Sequence, residues 1–555
     1  MPRLPPELIA AERQQGTSND PMAMLTQTEN IAEIDKIGTG EWTVLYEYQD
    51  SANESRCSYS AFLPADLVNN AMTHDSLDLS IGHGMPGFSQ SDFTGQTVTT
   101  YDRFGFARVE PILYVRDFHG LKPRQFEISE EFRHYHNLYH DRRNDRYIYL
   151  DHRGEDVVVV EVEPQRVRAK TRFLRQYMAA RQLHLALYFD HRAYASVDVA
   201  VAKSMPPNRV VSTDRCYSFN KGEFSRDRAF SRLIGKRVIA PPPISECGVW
   251  PFELPRDQYV EYVIGTSDDG QDVLHSCDPG QLANYFGANE GSPHYLTPVW
   301  FTRNVLSKYY DNPDKFSVED GYLRCGSLWG LQIDNSLPDH VVVYLGDLGR
   351  DLAYEEQTYW RHFNINPASR RTSETNFKRA FLAQFADPSA PDLVFKQRYR
   401  ELQEAWAHRY GWSLFRPLHE SDTHIFKQLR VPLTDGLGEF ETQTMYLVKL
   451  LIDSLNDKEL ARECGGALPN EQSISKLERY LSAKSYPEKV RDIGILRLLQ
   501  DVRSTAAAHA KGEKFDKLSE RVGLNSKSPR EIFVELLKTV NTMLADMSAY
   551  FTPVV

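Results

Sequence analysis

The sequence has few of the signals that identify a common class of protein. Its 555 residues include six cysteines, and no two have the Cys-x-x-Cys spacing of a zinc site or redox motif. Cysteines scattered in this way are typical of reduced thiols and not of a disulfide framework. No apolar run approaches the roughly 20 residues of a membrane-spanning helix, and the N-terminus lacks a basic-then-apolar signal. We therefore expect a cytoplasmic protein with no membrane segment.

Familiar catalytic motifs are also missing. The chain has no Gly-x-Ser-x-Gly elbow and no complete phosphate-binding loop, and we interpret its glycine pairs at 38–40 and 346–349 as turns. His134, His136 and His140 lie close in sequence but lack the glutamate of a His-Glu-x-x-His zinc motif. We interpret them as structural or surface histidines. The sequence predicts no metal site and no cofactor.

Composition and patterning predict an α+β multidomain protein. The chain is 41% apolar and 25% charged, which is ordinary for a folded protein, and its length suggests two to four domains. Strand-like alternation recurs over 42–115 and 146–189, with a helix predicted over 171–181. Beyond the triple proline at 241–243 we predict further strands and helices over 279–286 and 298–310, and helices dominate from residue 373 onward.

Three regions follow from this pattern. We predict a mixed α/β domain over 1–240, a second α/β-to-helical region over 241–430, either separate from or continuous with the first, and an all-helical bundle over 431–555. Apolar residues recur at helical spacing over 440–455 and 490–506. A third helix is predicted over 529–551, with Ser528 as N-cap, Pro529 in the first turn and Glu531 completing a capping box.

One segment of the bundle indicates chemistry, from Arg503 to Gly512. Alanines at 506–508 favour a helix, and Lys511 followed by Gly512 indicates its C-terminus. Six positions on one helix put Arg503 and His509 about 120° apart around the axis and about 9 Å along it. One helix therefore aims them poorly at a common atom, whereas the same helix of a second copy across a two-fold axis would bring Arg503 of one chain towards His509 of the other.

An arginine, a short spacer and a histidine at the end of an apolar helix resemble the signature of the HEPN domain, over roughly residues 438–551. The resemblance implies a dimeric helical bundle and, in many members, a metal-independent endoribonuclease of toxin or antiviral systems. It places phosphate contact and charge stabilisation on Arg503 and acid/base chemistry on His509. Ser504 stands where active members commonly have asparagine, aspartate or histidine, although its hydroxyl keeps a polar group there. Lys511 and Lys514 are the predicted RNA-binding cations.

The layout favours a bacterial defence or toxin-type protein of the abortive-infection kind. In this hypothesis the N-terminal region binds a phage or cellular trigger, and the bundle forms a homodimer that cleaves RNA. The chain carries a net charge of −11, but basic and acidic residues nearly balance after residue 440, which is compatible with local RNA binding. The alternative is a non-enzymatic sensor or scaffold whose bundle only dimerises or docks a partner. A third class, an enzyme with its site in the N-terminal region, requires a deep pocket with convergent carboxylates there.

Two further clusters each have two interpretations. Six basic residues between Arg166 and Arg181 form either a phosphate-binding face or, as we favour, a solvated strand edge followed by a surface helix. Aromatic residues are dense over 294–363, and they form either a recognition surface or the core of an α/β domain. We favour the core because tyrosines and tryptophans alternate there with Leu and Val.

Overall fold

A computed structural model describes residues 25–76, 86–93, 95–103, 108–204, 207–225, 228–252, 258–368, 370–506 and 519–553. The chain divides into two compact units, residues 1–151 with 155–255, and residues 152–154 with 256–555. The first unit and the beginning of the second mix strands with helices, and the C-terminal part of the second is helical. The predicted fold class is confirmed.

The first unit is built around an antiparallel sheet. Its strands follow the spatial order β13-β14-β15-β12-β2-β1-β11-β10-β9-β8, with β5 paired to β2. Two small hairpins, β3-β4 and β6-β7, complete its strands among the described residues. The elements of the unit are α1 (Thr28–Lys36), β1 (Trp42–Asp50), β2 (Glu54–Leu63), α2 (Ala65–Ala71), β3 (Pro86–Phe93), β4 (Gln96–Arg103), β5 (Glu110–Pro111), β6 (Leu113–Arg116), β7 (Gln125–Ile128), α3 (Glu130–Tyr135), β8 (Tyr139–Asp141), β9 (Arg146–Leu150), β10 (Asp156–Glu163), β11 (Arg166–Lys170), α4 (Thr171–Arg181), β12 (His184–Ala195), α5 (Val199–Ser204), β13 (Asn208–Val211), β14 (Arg215–Ser225) and β15 (Arg228–Ile239).

Helices pack on both faces of this sheet. Helix α4 buries Phe173 and Tyr177 in the main core, which includes Tyr188 of β12. Successive side chains of a strand point to opposite faces, so Phe189 lies on the other face, where it packs with Ile34 of α1. Long strands with large apolar side chains on alternating faces therefore need a helix on each side.

The first part of the second unit is an α/β layer around an aromatic core. It contains a hairpin, β16-β17, and two three-stranded sheets, β22-β18-β23 and β19-β20-β21. The elements of this part are β16 (Glu261–Thr266), β17 (Asp272–Ser276), β18 (Pro298–Thr302), α6 (Ser307–Tyr310), β19 (Phe316–Glu319), β20 (Tyr322–Cys325), β21 (Trp329–Gln332), β22 (His340–Tyr344), α7 (Leu345–Asp351), α8 (Tyr354–Arg361), β23 (Asn364–Ile365) and α9 (Glu374–Leu382).

The C-terminal part of the second unit is a helical bundle with one continuous core. That core includes Phe395, Trp406, Leu447, Leu499 and Phe551, all at most 3% exposed. The elements are α10 (Pro391–Tyr410), α11 (His424–Gln428), α12 (Leu437–Val448), a π-helical turn (Lys449–Asp453), α13 (Asp457–Glu463), α14 (Ser473–Ala483), α15 (Lys489–Ala506) and α16 (Pro529–Phe551). Helix α16 has the residues that were predicted, and the Ser528–Glu531 capping box is present.

The limits of the units differ from the predicted ones. The first unit ends near residue 255 and not at 240. The bundle begins with α10, upstream of residue 431, because α10 is bound to α16: Arg398 Nη1 donates to the Asn541 carbonyl at 2.7 Å, and the Tyr410 hydroxyl donates to the Phe551 carbonyl at 3.0 Å. Sequence periodicity shows that α10 has an apolar face but not which element covers that face.

The predicted helix over 298–310 is wrong in its first five residues and confirmed over 303–310, which form a 3-10 turn and α6, and the predicted helix over 279–286 is wrong. Residues 298–302 form strand β18, paired with β22 on one side and β23 on the other, so cross-strand pairing overrides the apparent helical spacing. The predicted helix over 279–286 is only a short 3-10 turn, Pro279–Gln281, which the Asp278 carboxylate caps through the Gly280 N–H at 2.9 Å. No helix among the described residues is long and apolar enough to cross a membrane.

Candidate functional site

Arg503 lies on α15, in the last turn of that helix that the structure describes. Its Nη1 donates to both carboxylate oxygens of Asp453 at 2.8 Å. Each of the two side chains is 42% exposed. An ion pair this exposed contributes about 0–1 kcal/mol to stability, because water screens it and ordering two side chains costs entropy. Another anion can therefore displace the carboxylate at little cost to the fold.

Asp453 also lines a hollow of about 360 Å³ in the bundle. Lys449 and Asp453 are the first and last residues of the π-helical turn that follows α12. Such wide turns are rare in proteins, and those that exist are often at functional sites. Arg416 and His419 reach the same hollow from the segment before α11. The full lining is Arg416, Pro417, Leu418, His419, Asp422, Lys449, Asp453 and Ser454.

Hydrogen bonds from Arg416 to main-chain carbonyls join the two segments that line the hollow, the one before α11 and the π-helical turn. Arg416 donates through Nε to the Leu455 carbonyl and through Nη2 to the Asp453 carbonyl, both at 3.1 Å. The Arg416 backbone N–H donates to the Ser454 carbonyl at 2.6 Å. A segment near residue 416 and the π-helical turn therefore present their side chains to one place.

The hollow brings opposite charges together. Lys449 Nζ lies 2.9 Å from Asp422 Oδ2. This hydrogen bond lowers the pKa of the Asp422 carboxyl below its ordinary value, and the positive charge of Lys449 acts in the same direction. Counting Arg503, three permanent cations surround the hollow against the two carboxylates of Asp422 and Asp453, which is a local excess of positive charge in an acidic chain.

His419 has a defined hydrogen-bonding arrangement. Its Nδ1 accepts the backbone N–H of Ser421 at 3.3 Å, which caps the short 3-10 turn that follows, and lies 2.9 Å from the Ser421 hydroxyl oxygen. A neutral imidazole that accepts through Nδ1 carries its proton on Nε2. In that tautomer Nε2 is a donor, as contact with a phosphate oxygen requires.

The remaining predicted residues divide into two groups. Ser504 is exposed, and its hydroxyl donates to the Asp501 carbonyl at 3.0 Å, an ordinary local bond of a serine within a helix. His509, Lys511 and Lys514 lie outside the described residues. The structure thus brings Arg503 to Asp453, while the pairing of Arg503 with His509 and the role of the two lysines stay predictions.

Sequence analysis did not identify the hollow. Asp453 precedes Arg503 by 50 positions, and no local motif links the two residues. Lys449 and Asp453 interrupt the apolar helical run over 440–455, and that interruption was the one available signal. Arg416 and His419 come from a third segment whose sequence carries no recognisable pattern.

The basic stretch between Arg166 and Arg181 is not a strand edge. Strand β11 is paired on both sides, with β1 and with β10, so this part of the prediction is wrong. Acidic partners neutralise several of its charges: Arg168 binds Glu161, Lys170 binds Glu41, and Arg181 binds both Glu110 and Glu131. These cations are bound to different carboxylates along β11 and α4 and do not converge on one place, so the stretch is a weak candidate for phosphate binding.

The three clustered histidines do not converge. Helix α3 ends at Tyr135, so His136 and His140 do not share a helical face. His136 is buried and its Nε2 donates to the Phe173 carbonyl at 2.9 Å, while His140 stacks on Tyr147 with ring centres 4.3 Å apart. Burial lowers the pKa of His136 to about 4. His134 is exposed, so structural and surface roles are confirmed for these histidines.

The residues at 346–349 are helical and not a turn. They belong to α7, and both glycines permit close packing: a Cβ on Gly349 would lie 1.8 Å from the Cys277 carbonyl oxygen, and one on Gly346 would overlap the Tyr295 ring. The aromatic-rich segment after residue 294 forms a core, as predicted. Trp360 is fully buried and its Nε1 donates to the Tyr309 hydroxyl at 2.7 Å.

A larger cleft of about 670 Å³ lies elsewhere in the second unit. Several carboxylates that line it already have hydrogen-bond or ion-pair partners: Glu531 caps α16, Glu535 binds Lys527, and Asp392 accepts the Val431 N–H. These carboxylates are therefore poorly placed to act as a catalytic pair. Among the described residues, no group of three or more histidines, cysteines or acids is placed to hold a metal ion.

Comparison with protein-family models, with curated proteins and with solved structures found no match to this chain. The geometry around Arg503 and Asp453 is therefore what indicates a function for this chain.

Proposed function

We propose that the protein is a cytoplasmic, bacterial defence or toxin-type endoribonuclease whose HEPN-like site, independent of metal, lies in the C-terminal bundle. The observation that supports the proposal most is the setting of Arg503. An exposed guanidinium near the end of a long bundle helix is held by a carboxylate that is itself exposed, beside a hollow with further cations. A phosphodiester is the anion that this arrangement suits, because a guanidinium donates two parallel hydrogen bonds to phosphate oxygens.

The proposed reaction is transesterification of RNA. The ribose 2′-hydroxyl attacks the adjacent phosphorus while His509 removes its proton, and the bond from phosphorus to the 5′ oxygen of the next nucleotide breaks. The proton returns to that leaving oxygen, which gives a 2′,3′-cyclic phosphate and a 5′-hydroxyl. Arg503 stabilises the charge that develops on the non-bridging oxygens, and the Ser504 hydroxyl becomes a further donor near it when it leaves the Asp501 carbonyl.

A homodimer completes this site in the proposal. The predicted helical spacing separates Arg503 and His509 on one chain, so in the proposal two-fold packing of α15 against its copy supplies each arginine with the histidine of the other chain. The first unit, with helices on both faces of its sheet, binds the phage or cellular trigger. Lys511 and Lys514 add cations to the RNA path.

The test is cleavage of a labelled single-stranded RNA by the purified full chain in the presence of EDTA. Arg503→Ala and His509→Ala are each expected to lower the rate by at least about 100-fold, since loss of one charge-stabilising donor has this magnitude in other enzymes. Arg497→Ala is the matched control, because Arg497 is another exposed arginine of α15 and is paired with Glu478. The control is expected to cleave at the wild-type rate.

Three results would overturn the proposal: wild-type rates in both variants, products without a cyclic phosphate, or activity that EDTA abolishes. If the wild-type chain dimerises but cleaves no RNA either alone or in cells exposed to phage, the non-enzymatic scaffold is the better description. In that case the Arg503–Asp453 contact is an ordinary surface ion pair.

A further inference from the structure

We propose that the hollow beside Arg503 is a phosphate subsite, in which Lys449 and His419 bind the backbone of single-stranded RNA next to the bond that is cleaved. This inference rests on the proposed ribonuclease function and names the substrate contacts of the same site. Neither residue belongs to the motif from which the ribonuclease function was predicted.

The first support is position. Arg503 binds the carboxylate of Asp453, and Asp453 also lines the hollow. Lys449 lies on the same π-helical turn as Asp453. An RNA phosphate that replaces this carboxylate at Arg503 therefore lies at the rim of the hollow. The next phosphate along the RNA can then contact Lys449 in the same hollow.

The second support is the supply of donors. A lysine ammonium has three N–H donors, and the contact with Asp422 at 2.9 Å uses one of them. The Lys449 side chain is 29% exposed, so its ammonium can reach a ligand from solvent. His419 is exposed, and the tautomer in which Nδ1 accepts the Ser421 N–H has its donor at Nε2. Both groups thus donate hydrogen bonds, as a phosphate requires.

The third support is size and shape. A volume of about 360 Å³ is within the roughly 300–1,000 Å³ of pockets that hold small ligands. The proposed attack of a 2′-hydroxyl in line with the leaving oxygen needs a backbone that rotates freely. A duplex restrains that rotation, so the strand in the hollow is single-stranded RNA.

The experiment measures binding of a fluorescein-labelled single-stranded RNA by anisotropy, with the full-length His509→Ala chain in EDTA so that no cleavage occurs. Adding Lys449→Gln is expected to raise Kd about fivefold or more, as loss of one charge-assisted contact predicts. The slope of log affinity against log salt is expected to fall by about 0.7, the value for one phosphate contact to a single strand. Lys449→Arg keeps the charge, so its Kd is expected to lie within about twofold of that of the His509→Ala parent, with the parent's salt slope.

Lys484→Gln is the matched control, because Lys484 is an exposed lysine of the same bundle, paired with Glu463, and does not line the hollow. It removes the same charge from the chain and is expected to leave Kd within about twofold. His419→Ala, which removes the imidazole donor, is expected to weaken binding, and His419→Gln, which keeps a side-chain N–H donor, is expected to weaken it less. Equal effects of Lys449→Gln and Lys484→Gln would overturn the subsite.

The two proposals fail in different ways. If wild-type protein cleaves RNA in an Arg503-dependent manner and Lys449→Gln changes neither Kd nor KM, only the subsite is wrong. If the wild-type chain neither binds nor cleaves RNA, both the subsite and the ribonuclease function are wrong. A raised KM with nearly unchanged kcat in Lys449→Gln supports the subsite.

Discussion

Arg503 and Asp453 form an ion pair in which one nitrogen serves both acceptors, since Nη1 of the arginine lies 2.8 Å from each carboxylate oxygen. The strongest arginine–carboxylate pairs use two nitrogens in parallel. This contact is therefore not the tightest available to the pair, and its 42% exposure weakens it further. Asp453 is a carboxylate that competes with phosphate for the guanidinium.

Removing that competitor is the first test. In Asp453→Asn the side chain keeps its size and loses its charge, so RNA affinity is expected to rise about three- to tenfold at low salt. Fluorescence anisotropy of the labelled RNA, with Asp453→Asn introduced into the His509→Ala chain, measures this affinity. Asp501→Asn, which removes the charge of a carboxylate that pairs with Arg521 on the same bundle, is the control and is expected to change affinity less than twofold. Unchanged affinity in Asp453→Asn would contradict competition at Arg503.

The first unit is expected to lose stability in acid because of His136. Burial holds the pKa of His136 at about 4 in the fold, whereas an unfolded histidine titrates near 6.5. Between those values the unfolded chain binds the proton and the folded chain does not, so stability falls as pH falls, by up to about 3 kcal/mol in all. Urea unfolding between pH 4 and 7 measures this slope. His136→Gln should flatten it, whereas His134→Gln, at an exposed position, should leave it unchanged.

The capping box of α16 gives a third prediction. Ser528 accepts the Glu531 N–H at 3.2 Å, and Glu531 accepts the Ser528 N–H at 2.9 Å. Ser528→Ala is expected to lower the free energy of unfolding of the bundle by about 1 kcal/mol, because one N-terminal donor of the helix loses its partner. Ser526→Ala, two residues earlier and outside the box, is expected to change it by less than about 0.5 kcal/mol. Equal losses in the two variants would show that the box does not stabilise the helix.

The assignment of α10 to the bundle can be tested through its core. Leu402 is completely buried in the same cluster as the side chains of α16. Leu402→Ala is expected to destabilise the bundle by about 2–5 kcal/mol, through lost burial and the cavity left behind. Glu401→Ala, at an exposed neighbouring position, is the control. Hydrogen exchange should show faster opening of α16 in Leu402→Ala, and protection that changes only within α10 would contradict a shared core.

Local signals in the sequence predicted several elements to within one or two residues. Helix α4 and helix α16 have the predicted limits, because apolar residues at helical spacing and the Ser528–Glu531 box are encoded within a few positions. The strand over residues 298–302 was predicted as a helix. Its apolar side chains satisfy either period over so short a stretch, and only pairing with β22 and β23 selects the strand.

The candidate site shows the same division. Arg503 and Ser504 were identified from the sequence, because their helix and its small residues are local features. Asp453, Lys449, His419 and Arg416 were not, because each is an ordinary polar residue in its own segment. They become a site only when the π-helical turn and the segment before α11 are brought together.

The sequence by itself determined the fold class, the C-terminal helices and the position of one chemically distinctive arginine, because composition, periodicity and capping act over a few residues. Only the tertiary structure decided what that arginine faces. Contacts between residues 50 positions apart depend on how helices pack, and packing is set by the shapes and buried surfaces of many side chains at once. The carboxylate at Arg503 and the cations around it are products of that packing.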